Sequence, residues 1–410
     1  MRLPSIFIMM MLLSYALPVA CAYAPDYTLE IFGNANMDGN IDQKDIDYVE
    51  GVTKGINPTT NLSDANYDGK VDLQDIDQIE KIISGEEKVL TVIDSAEKIV
   101  SVRMPVERIV ALPSGTVETM RSLKLESDKI VGINKWNKED KLYYPVISEM
   151  AEDLGSYSSP DYEKLLKLKP DIVIQYSDPK YEEIVNKITE TDSNITILRF
   201  DCWKPSSYFN EVRKLGYILG KRDEADEFIM FYEGLLNTIM DKVKAIPEND
   251  RPTVYFELGD TPYMTTGNKG AWHTTLEMAG GKNLFGDLSE SNFNTDAEEV
   301  MKRNPDFFLK KEYPEGGYDS DNITEMISER DELLNRTELA NVTAVKNGQV
   351  YLIDSSVFAS PSYVIGIAYM AKWFHSDIFK ELDPTAMHKE YLEEYQGIPY
   401  RGIYAYPMPD

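Results

Sequence analysis

Residues 223–246 read DEADEFIMFYEGLLNTIMDKVKAI. Apolar side chains recur at Ala225, Phe228, Ile229, Tyr232, Leu235, Leu236, Ile239, Met240, Val243 and Ile246, the spacing of one helical face held without a break. Acids open the stretch and Lys242 and Lys244 close it, the order that a helix macrodipole favours. At 1.5 Å per residue such a helix runs roughly 36 Å, the length of a domain. Strand-then-helix units precede it, and others follow from Arg251. The pattern predicts two α/β lobes held at a nearly fixed separation by one stiff helix, with a cleft between them. The alternative is a single α/β domain with a long surface helix.

A chain of 410 residues has room for two or three domains with real cores. Its formal charge of -28 argues against nucleic acid and anionic membrane as partners. The first 24 residues combine Arg2, an apolar run from Ile6 to Leu13 and a small-residue end at Ala20-Cys21-Ala22. They are expected to form a secretory signal, with a lipid anchor at Cys21 as the alternative, so the mature protein is expected to be secreted or held at the cell surface. Cleavage after Cys21 would leave Cys202 as the one thiol, with no intrachain disulfide. Asn61, Asn194, Asn322, Asn335 and Asn341 open N-x-Ser/Thr tripeptides, acceptor sites if the protein is glycosylated.

Residues 34–45, NANMDGNIDQKD, and 64–75, DANYDGKVDLQD, align without a gap at a spacing of 30. Hard cations need several oxygen ligands from one tight turn. Positions 1, 3, 5, 9 and 12 supply Asn34, Asn36, Asp38, Asp42 and Asp45, then Asp64, Asn66, Asp68, Asp72 and Asp75. Asn40 and Lys70 offer backbone carbonyls at the seventh position, and Gly39 and Gly69 are expected to make the bend. The spacing predicts two calcium sites, each leading into a short helix (Ile46–Val52 and Ile76–Ile83). Fifteen acids against five bases between Pro25 and Lys88 make folding without the cation unfavourable. The paired loops, with Asp at position 12 and no leading helix, resemble the type I dockerin module over residues 29–88. That resemblance implies docking onto a cohesin-type partner through Gln43, Lys44, Leu73 and Gln74.

After a charged hinge at Glu86-Glu87-Lys88, the sequence predicts a hairpin from Leu90 to Val102 and a strand at Arg108–Leu112. Helix, Lys-Pro-Asp turn and buried strand follow over Asp161–Tyr176, and DAEEVMKRNPDFFLKK repeats that pattern from Asp296. The fold class is α/β: two Rossmann-like lobes joined by one long helix, preceded by a small all-α paired calcium-loop module. The expected divisions are a signal at 1–24, the module at 29–88, a first lobe at 90–220, the linking helix at 221–247, a second lobe at 248–383 and a tail at 384–410. Ile403, Tyr404 and Tyr406 of the tail are expected to pack on the second lobe.

Leu165–Ile174, its echo at Val300–Leu309, the segment TGNKGAWHTTLEMAGGKNLF from Thr266 to Phe285 and the run SPSYVIGIAYMAKWFH from Ser360 resemble the cluster III solute-binding proteins. These are receptors of ABC importers for iron-siderophore, haem and cobalamin, built as two lobes on one rigid helix. The resemblance covers about residues 90–383. It implies a metal-chelate ligand, no catalysis, and an ABC permease docked through one exposed glutamate per lobe, which the matching runs place at Glu163 and Glu298.

Ligands of open α/β sheets lie beyond the carboxyl ends of the strands. The expected cleft residues are therefore Pro113, Ser114, Gly115, Trp136, Tyr157, Tyr176, Trp203, Trp272, His273, Phe358 and Ser360. Flat side chains suit a large planar or apolar ligand, and serines can bond its rim. Tyr176 or Tyr157 could instead ligate ferric iron as phenolates. His273, His375 and His388 are the only histidines, too few in the cleft for a bare zinc or manganese receptor. Two other readings stand beside this one. A dockerin-bearing extracellular enzyme would need an acid–base pair that the spacing does not show. A structural surface protein would have a cleft that binds nothing small.

Overall fold

The computed structural model describes residues 28–259, 261–312 and 316–409; the expected signal at 1–24 lies outside them. The two aligned loops lead into α1 (Gln43–Thr53) and α2 (Leu73–Ser84). Each helix starts three residues earlier than apolar periodicity suggests, because the loop caps its own helix. Asp42 and Asp72 accept from the first-turn amides, and Asp45 and Asp75 reach back in reciprocal capping boxes.

An antiparallel hairpin follows, β1 (Val89–Ile93) with β2 (Ile99–Arg103). The first lobe is a five-stranded parallel sheet. Its chain order is β3 (Ile109–Ala111), α3 (Ser114–Ser122), β4 (Ile130–Ile133), β5 (Glu152–Asp153), α4 (Tyr162–Leu168), β6 (Ile172–Gln175) and β7 (Thr196–Arg199). In space the strands run β5-β4-β3-β6-β7. Helix α5 (Tyr208–Leu219) leads to α6 (Arg222–Lys244), the linking helix. It buries Ala225, Phe228, Ile229, Tyr232, Leu236, Ile239, Met240 and Val243, the face that the periodicity selects.

The second lobe holds β8 (Thr253–Leu258), α7 (Ala271–Met278), β9 (Lys282–Asn283), α8 (Ala297–Arg303), β10 (Phe307–Glu312), β11 (Val350–Asp354) and α9 (Tyr363–Phe374). After α10 (Pro384–Glu390), the chain adds β12 (Ala405–Tyr406) to the sheet edge. The strand order is β9-β8-β10-β11-β12, parallel except for β12 on β11.

The loop module is not tethered at arm's length. Leu29, Ile31, Ile79 and Ile82 share one apolar core with Val92, Leu215 and Ile218, and Ile31 bridges Val92. The Arg213 guanidinium donates to the Gly39 carbonyl at 3.0 Å, and the Ile41 amide donates to the Tyr217 hydroxyl at 3.1 Å. The charged stretch expected as a hinge is an anchor instead: Glu87 is buried and pairs with Arg222 at 3.3 Å. Its carboxylate has folded inward because a cation waits at the start of the linking helix.

The tail does more than pack on the second lobe. Between α10 and β12 it crosses to α3 of the first lobe, where the Tyr391 hydroxyl donates to Glu118 Oε1 at 2.5 Å. Gln396 accepts from Arg121 Nε at 2.6 Å and donates to Ser122 Oγ at 2.6 Å. Tyr395 stacks on Phe231 of the linking helix, ring centroids 4.4 Å apart.

Tyr391→Phe should therefore leave a buried Glu118 oxygen without its donor and lower stability by about 1–3 kcal/mol, read from urea denaturation midpoints at unchanged slope. Acid should strain the same tail. Burial pushes the His388 imidazole down to about 3 from an ordinary 6.5. Its contribution to stability is full above about pH 6.5 and is lost as pH falls towards 3, because the unfolded chain takes the proton first. His388→Leu should flatten that part of the pH–stability curve.

Candidate functional site

The two sheets present their carboxyl ends to one cavity of about 780 Å³. Its walls come from loops that follow β3, β4, β6 and β7 in the first lobe and β10 and β11 in the second. In the first lobe these include β3 and β6, which flank the point where chain order reverses, the usual ligand position for such sheets, and in the second they include β10, one of the two strands at that point.

Of the expected cleft residues, the structure brings together Ser114, Gly115, Trp136, Tyr157, Tyr176, Trp203, Trp272 and Ser360 on the cavity wall. Three are placed elsewhere. Pro113 is buried beneath the wall as the residue that precedes α3. His273 lies on another side of α7 from Trp272, its Nδ1 3.4 Å from Asn283 Nδ2. Phe358 is 1% exposed and stacks behind Trp272 at 4.9 Å, supporting the wall rather than forming it. In each case a chain neighbour, Ser114, Trp272 or Ala359, lines the cavity and the named residue does not.

On the first lobe, Trp136, Tyr157, Tyr176 and Tyr181 form a chain of ring contacts with centroids 4.9, 5.2 and 5.6 Å apart in turn. Burial raises the Tyr176 hydroxyl well above the ordinary phenol value, which opposes its service as a phenolate iron ligand. Across the cavity, Trp203 meets Trp272 at 5.5 Å. Asp354 ends β11, and burial pushes its carboxyl up to about 6 while Ser356 and Lys311 hold it down.

The sequence reading missed Glu118, Asp140, Tyr143, Tyr181 and Asp201, and the second-lobe loop Gly316-Gly317-Tyr318-Asp319. That loop begins at Gly316, four residues past the end of β10 at Glu312, so the strand-end rule could have found it. Glu118 could not have been found this way, since it sits one turn into α3 rather than at a strand end.

Glu163 and Glu298 occupy matched positions. Each lies two residues after a helix-capping aspartate, Asp161 or Asp296, and each helix ends on a left-handed residue, Lys169 at φ 48° or Asn304 at φ 47°. Both glutamates are exposed; Glu163 pairs only with Lys167 of its own helix among the ion pairs of the described residues.

The two loops repeat the hydrogen bonds of their last ligand position, and differ at the first, where Asp64 accepts from the Asp68 and Gly69 amides while Asn34 donates to the Leu29 and Asp38 carbonyls. Asp45 accepts from the amides of Asn36 and Asp42 at 3.1 and 2.8 Å, and Asp75 accepts from those of Asn66 and Asp72 at 3.2 and 2.7 Å. Both carboxylates are fully buried, and burial pushes Asp45 up to about 6. Asn34 Oδ1 is buried without a hydrogen-bond partner, an orphan acceptor at the first ligand position. The shared left-handed residues are Met37 and Tyr67; Gly69 also turns at φ 91°, but Gly39 stays outside that range. Among the described residues no group of three or more His, Cys, Asp or Glu side chains converges as a metal cluster. The donor set expected of these loops is mixed, with Asn oxygens and backbone carbonyls beside the acids, so a count of acids alone does not measure it.

The model of the periplasmic binding protein family matches residues 109–357. An uncharacterised ABC transporter substrate-binding lipoprotein, YvrC of Bacillus subtilis, is 24% identical over 296 residues, covering 71% of this chain and 87% of that protein. The vitamin B12-binding protein of Salmonella paratyphi A is 23% identical over 162 residues, 40% of this chain and 59% of that protein. The crystal structure of the TroA-like periplasmic binding protein FepB from Veillonella parvula superposes with a TM-score of 0.66 at 22% identity, covering 78% of this chain and 99% of that one.

Two of the three tryptophans on the cavity wall, Trp272 and Trp136, should respond differently to truncation. Trp272 is 9% exposed within a ring stack, so Trp272→Ala should cost about 3–5 kcal/mol of stability. Trp136 is 37% exposed, and Trp136→Ala should stay within about 1 kcal/mol of wild type. Thermal and urea unfolding of both variants would test this; equal losses would show that the wall is built otherwise.

Proposed function

The chain belongs to the periplasmic binding protein family, and on that premise we propose that it captures a metal chelate or corrinoid between its lobes and presents it to an ABC permease. The observation that carries the reading is the aromatic-walled cavity shared by both sheets. Its volume suits a ligand of drug size or larger, held by flat apolar faces with a few polar contacts at the rim. The relatives are substrate-binding proteins of transport, and one of them is named for vitamin B12. Nothing in the site is assigned a catalytic role. Glu163 and Glu298 are proposed as the two permease contacts, supported by their matched, exposed helix-start positions.

Calcium is proposed for both loops, through Asn34, Asn36, Asp38, the Asn40 carbonyl, Asp42 and Asp45, and through Asp64, Asn66, Asp68, the Lys70 carbonyl, Asp72 and Asp75. The orphan Asn34 oxygen and the buried Asp45 and Asp75 support this, since a cation would satisfy all three. Bound there, calcium supplies charge balance and cross-links each loop. Docking to a cohesin-type partner belongs to the same proposal, and Gln43, Lys44, Leu73 and Gln74 are all exposed. Because the module shares its core with the first lobe, such a partner would hold the receptor rigidly rather than on a leash.

Tryptophan fluorescence of the purified protein, titrated with ferric siderophores, haemin and cyanocobalamin, tests the receptor reading. Saturable binding of one class is expected, weakened about tenfold or more by Trp136→Ala; silence across the panel in a folded protein would overturn it. Calcium is tested apart from the ligand. Isothermal titration should count two sites in wild type and one in Asp64→Ala. A hundredfold excess of free calcium over its dissociation constant should add about 2.7 kcal/mol of stability per site, lost on chelation.

A further inference from the structure

Among the described residues that line the interlobe cavity there are seven carboxylates, two lysines and no arginine. Both lysines are engaged: Lys180 with Asp178 at 3.0 Å and Lys204 with Asp201 at 2.7 Å. Behind the wall, Arg121 offsets Glu118, and Lys311, whose ammonium lies 5.2 Å from the Trp272 ring, offsets Asp354. Three carboxylates remain. Glu139 and Asp140 come from the first lobe and Asp319 from the second, so like charge enters the cavity from both sides. Asp140 feels Asp319 across that space: burial raises its carboxyl most and Asp319 adds to the rise, while the Tyr143 amide and Arg121 partly hold it down. Two nearby cations stand outside the described ion pairs: Lys135, whose ammonium is placed over the Trp136 ring at 4.7 Å, and Arg401, whose guanidinium is 5.6 Å from the Tyr318 ring.

The ring faces point the same way. Trp136, Tyr157, Tyr176 and Tyr181 turn a connected aromatic cluster into the cavity, and the faces of such rings carry partial negative charge that draws cations. A ligand with free carboxylates, phosphates or ionised catechols would instead need an arginine fork or an unpaired lysine. The wall offers such a group neutral donors, the serine and tyrosine hydroxyls and the Asn137 amide, and lysines already tied to acids.

We propose that the cleft selects a ligand of net positive charge and discriminates against anionic chelates of the same size and shape. The inference rests on the receptor reading above and narrows its ligand class. One-signed charge in a cleft with low-dielectric walls focuses the field on an entering ligand, and Glu139 and Asp319, both exposed, supply part of it at no cost to the core.

The test uses three ferric complexes of one linear trihydroxamate that differ only at the terminal amine: free (net +1), acetylated (neutral) and succinylated (net -1). A corrinoid series of the same three charges, made from cyanocobalamin by single side-chain conversion to amine or carboxylate, is run beside them. In whichever series binds, calorimetry should rank cation above neutral above anion. The ends should differ by about tenfold or more at low ionic strength, and the gap should shrink with salt. Glu139→Gln with Asp319→Asn should narrow that gap severalfold at an unchanged unfolding midpoint. An anion bound as tightly as the cation, or a gap indifferent to salt and to both substitutions, would overturn the proposal. Failure of every member of both series in a folded protein overturns the receptor reading itself, and is recognised because no charge order is then seen.

Discussion

Tyr232 is the point on which both lobes depend. It is fully buried at the middle of the linking helix, and its hydroxyl donates to the Pro361 carbonyl at 2.6 Å and accepts from the Val364 amide at 3.1 Å. Its ring lies within 6 Å of Tyr208 and Phe209 on the first lobe's last helix and of Tyr363 on the second lobe's last helix. One side chain thus ties three elements, and the loop it holds at Pro361 is adjacent to Ser360 on the cavity wall. A buried hydroxyl with both roles filled is expensive to rearrange, because either bond broken leaves a polar group without water. The separation of the lobes is therefore set in the core rather than at a hinge.

The tail supplies a second tie. Without it, two lobes on one helix could still rock about the helix axis. With it, the chain leaves the second lobe, bonds to Glu118 and Arg121 of the first, and returns as an edge strand on β11. Glu118 itself lines the cavity, so the strap fixes a piece of the wall as well as the gap. The loop module adds a third constraint at the other end, sharing its core with the first lobe.

What the sequence revealed follows from what kind of signal each feature leaves. The linking helix was legible because ten apolar positions repeat on one face. The loops were legible because twelve residues recur at a fixed spacing with oxygen-bearing side chains at the same places. The cleft was legible as a set of strand ends, and eight of eleven named residues line it. Pro113, His273 and Phe358 were misplaced because a strand-end rule locates the backbone and not the direction of the side chain. The strap left no local signal. Its bonds join residues 273 and more apart, and Tyr391 or Gln396 alone resembles any other polar residue of a helical segment. Glu87 was misread for a related reason: a charged triplet looks like a solvated hinge until Arg222, 135 residues away, is placed beside it.

A cleft held this firmly has to choose its ligand in advance. Receptors that close widely can wrap charge around a guest after it arrives, whereas a preformed cavity meets the guest with the groups already in place. Here those groups are aromatic faces, paired acids and bases that cancel, and carboxylates facing one another from opposite lobes. Like charges across a rigid gap repel, and neither lobe can retreat without breaking the Tyr232 or Tyr391 bonds. A guest that places positive charge between Asp140 and Asp319 relieves that repulsion, and an anion of the same shape adds to it. Rigidity and charge selection are in this sense one property: the ties that keep the lobes apart keep the acids in opposition.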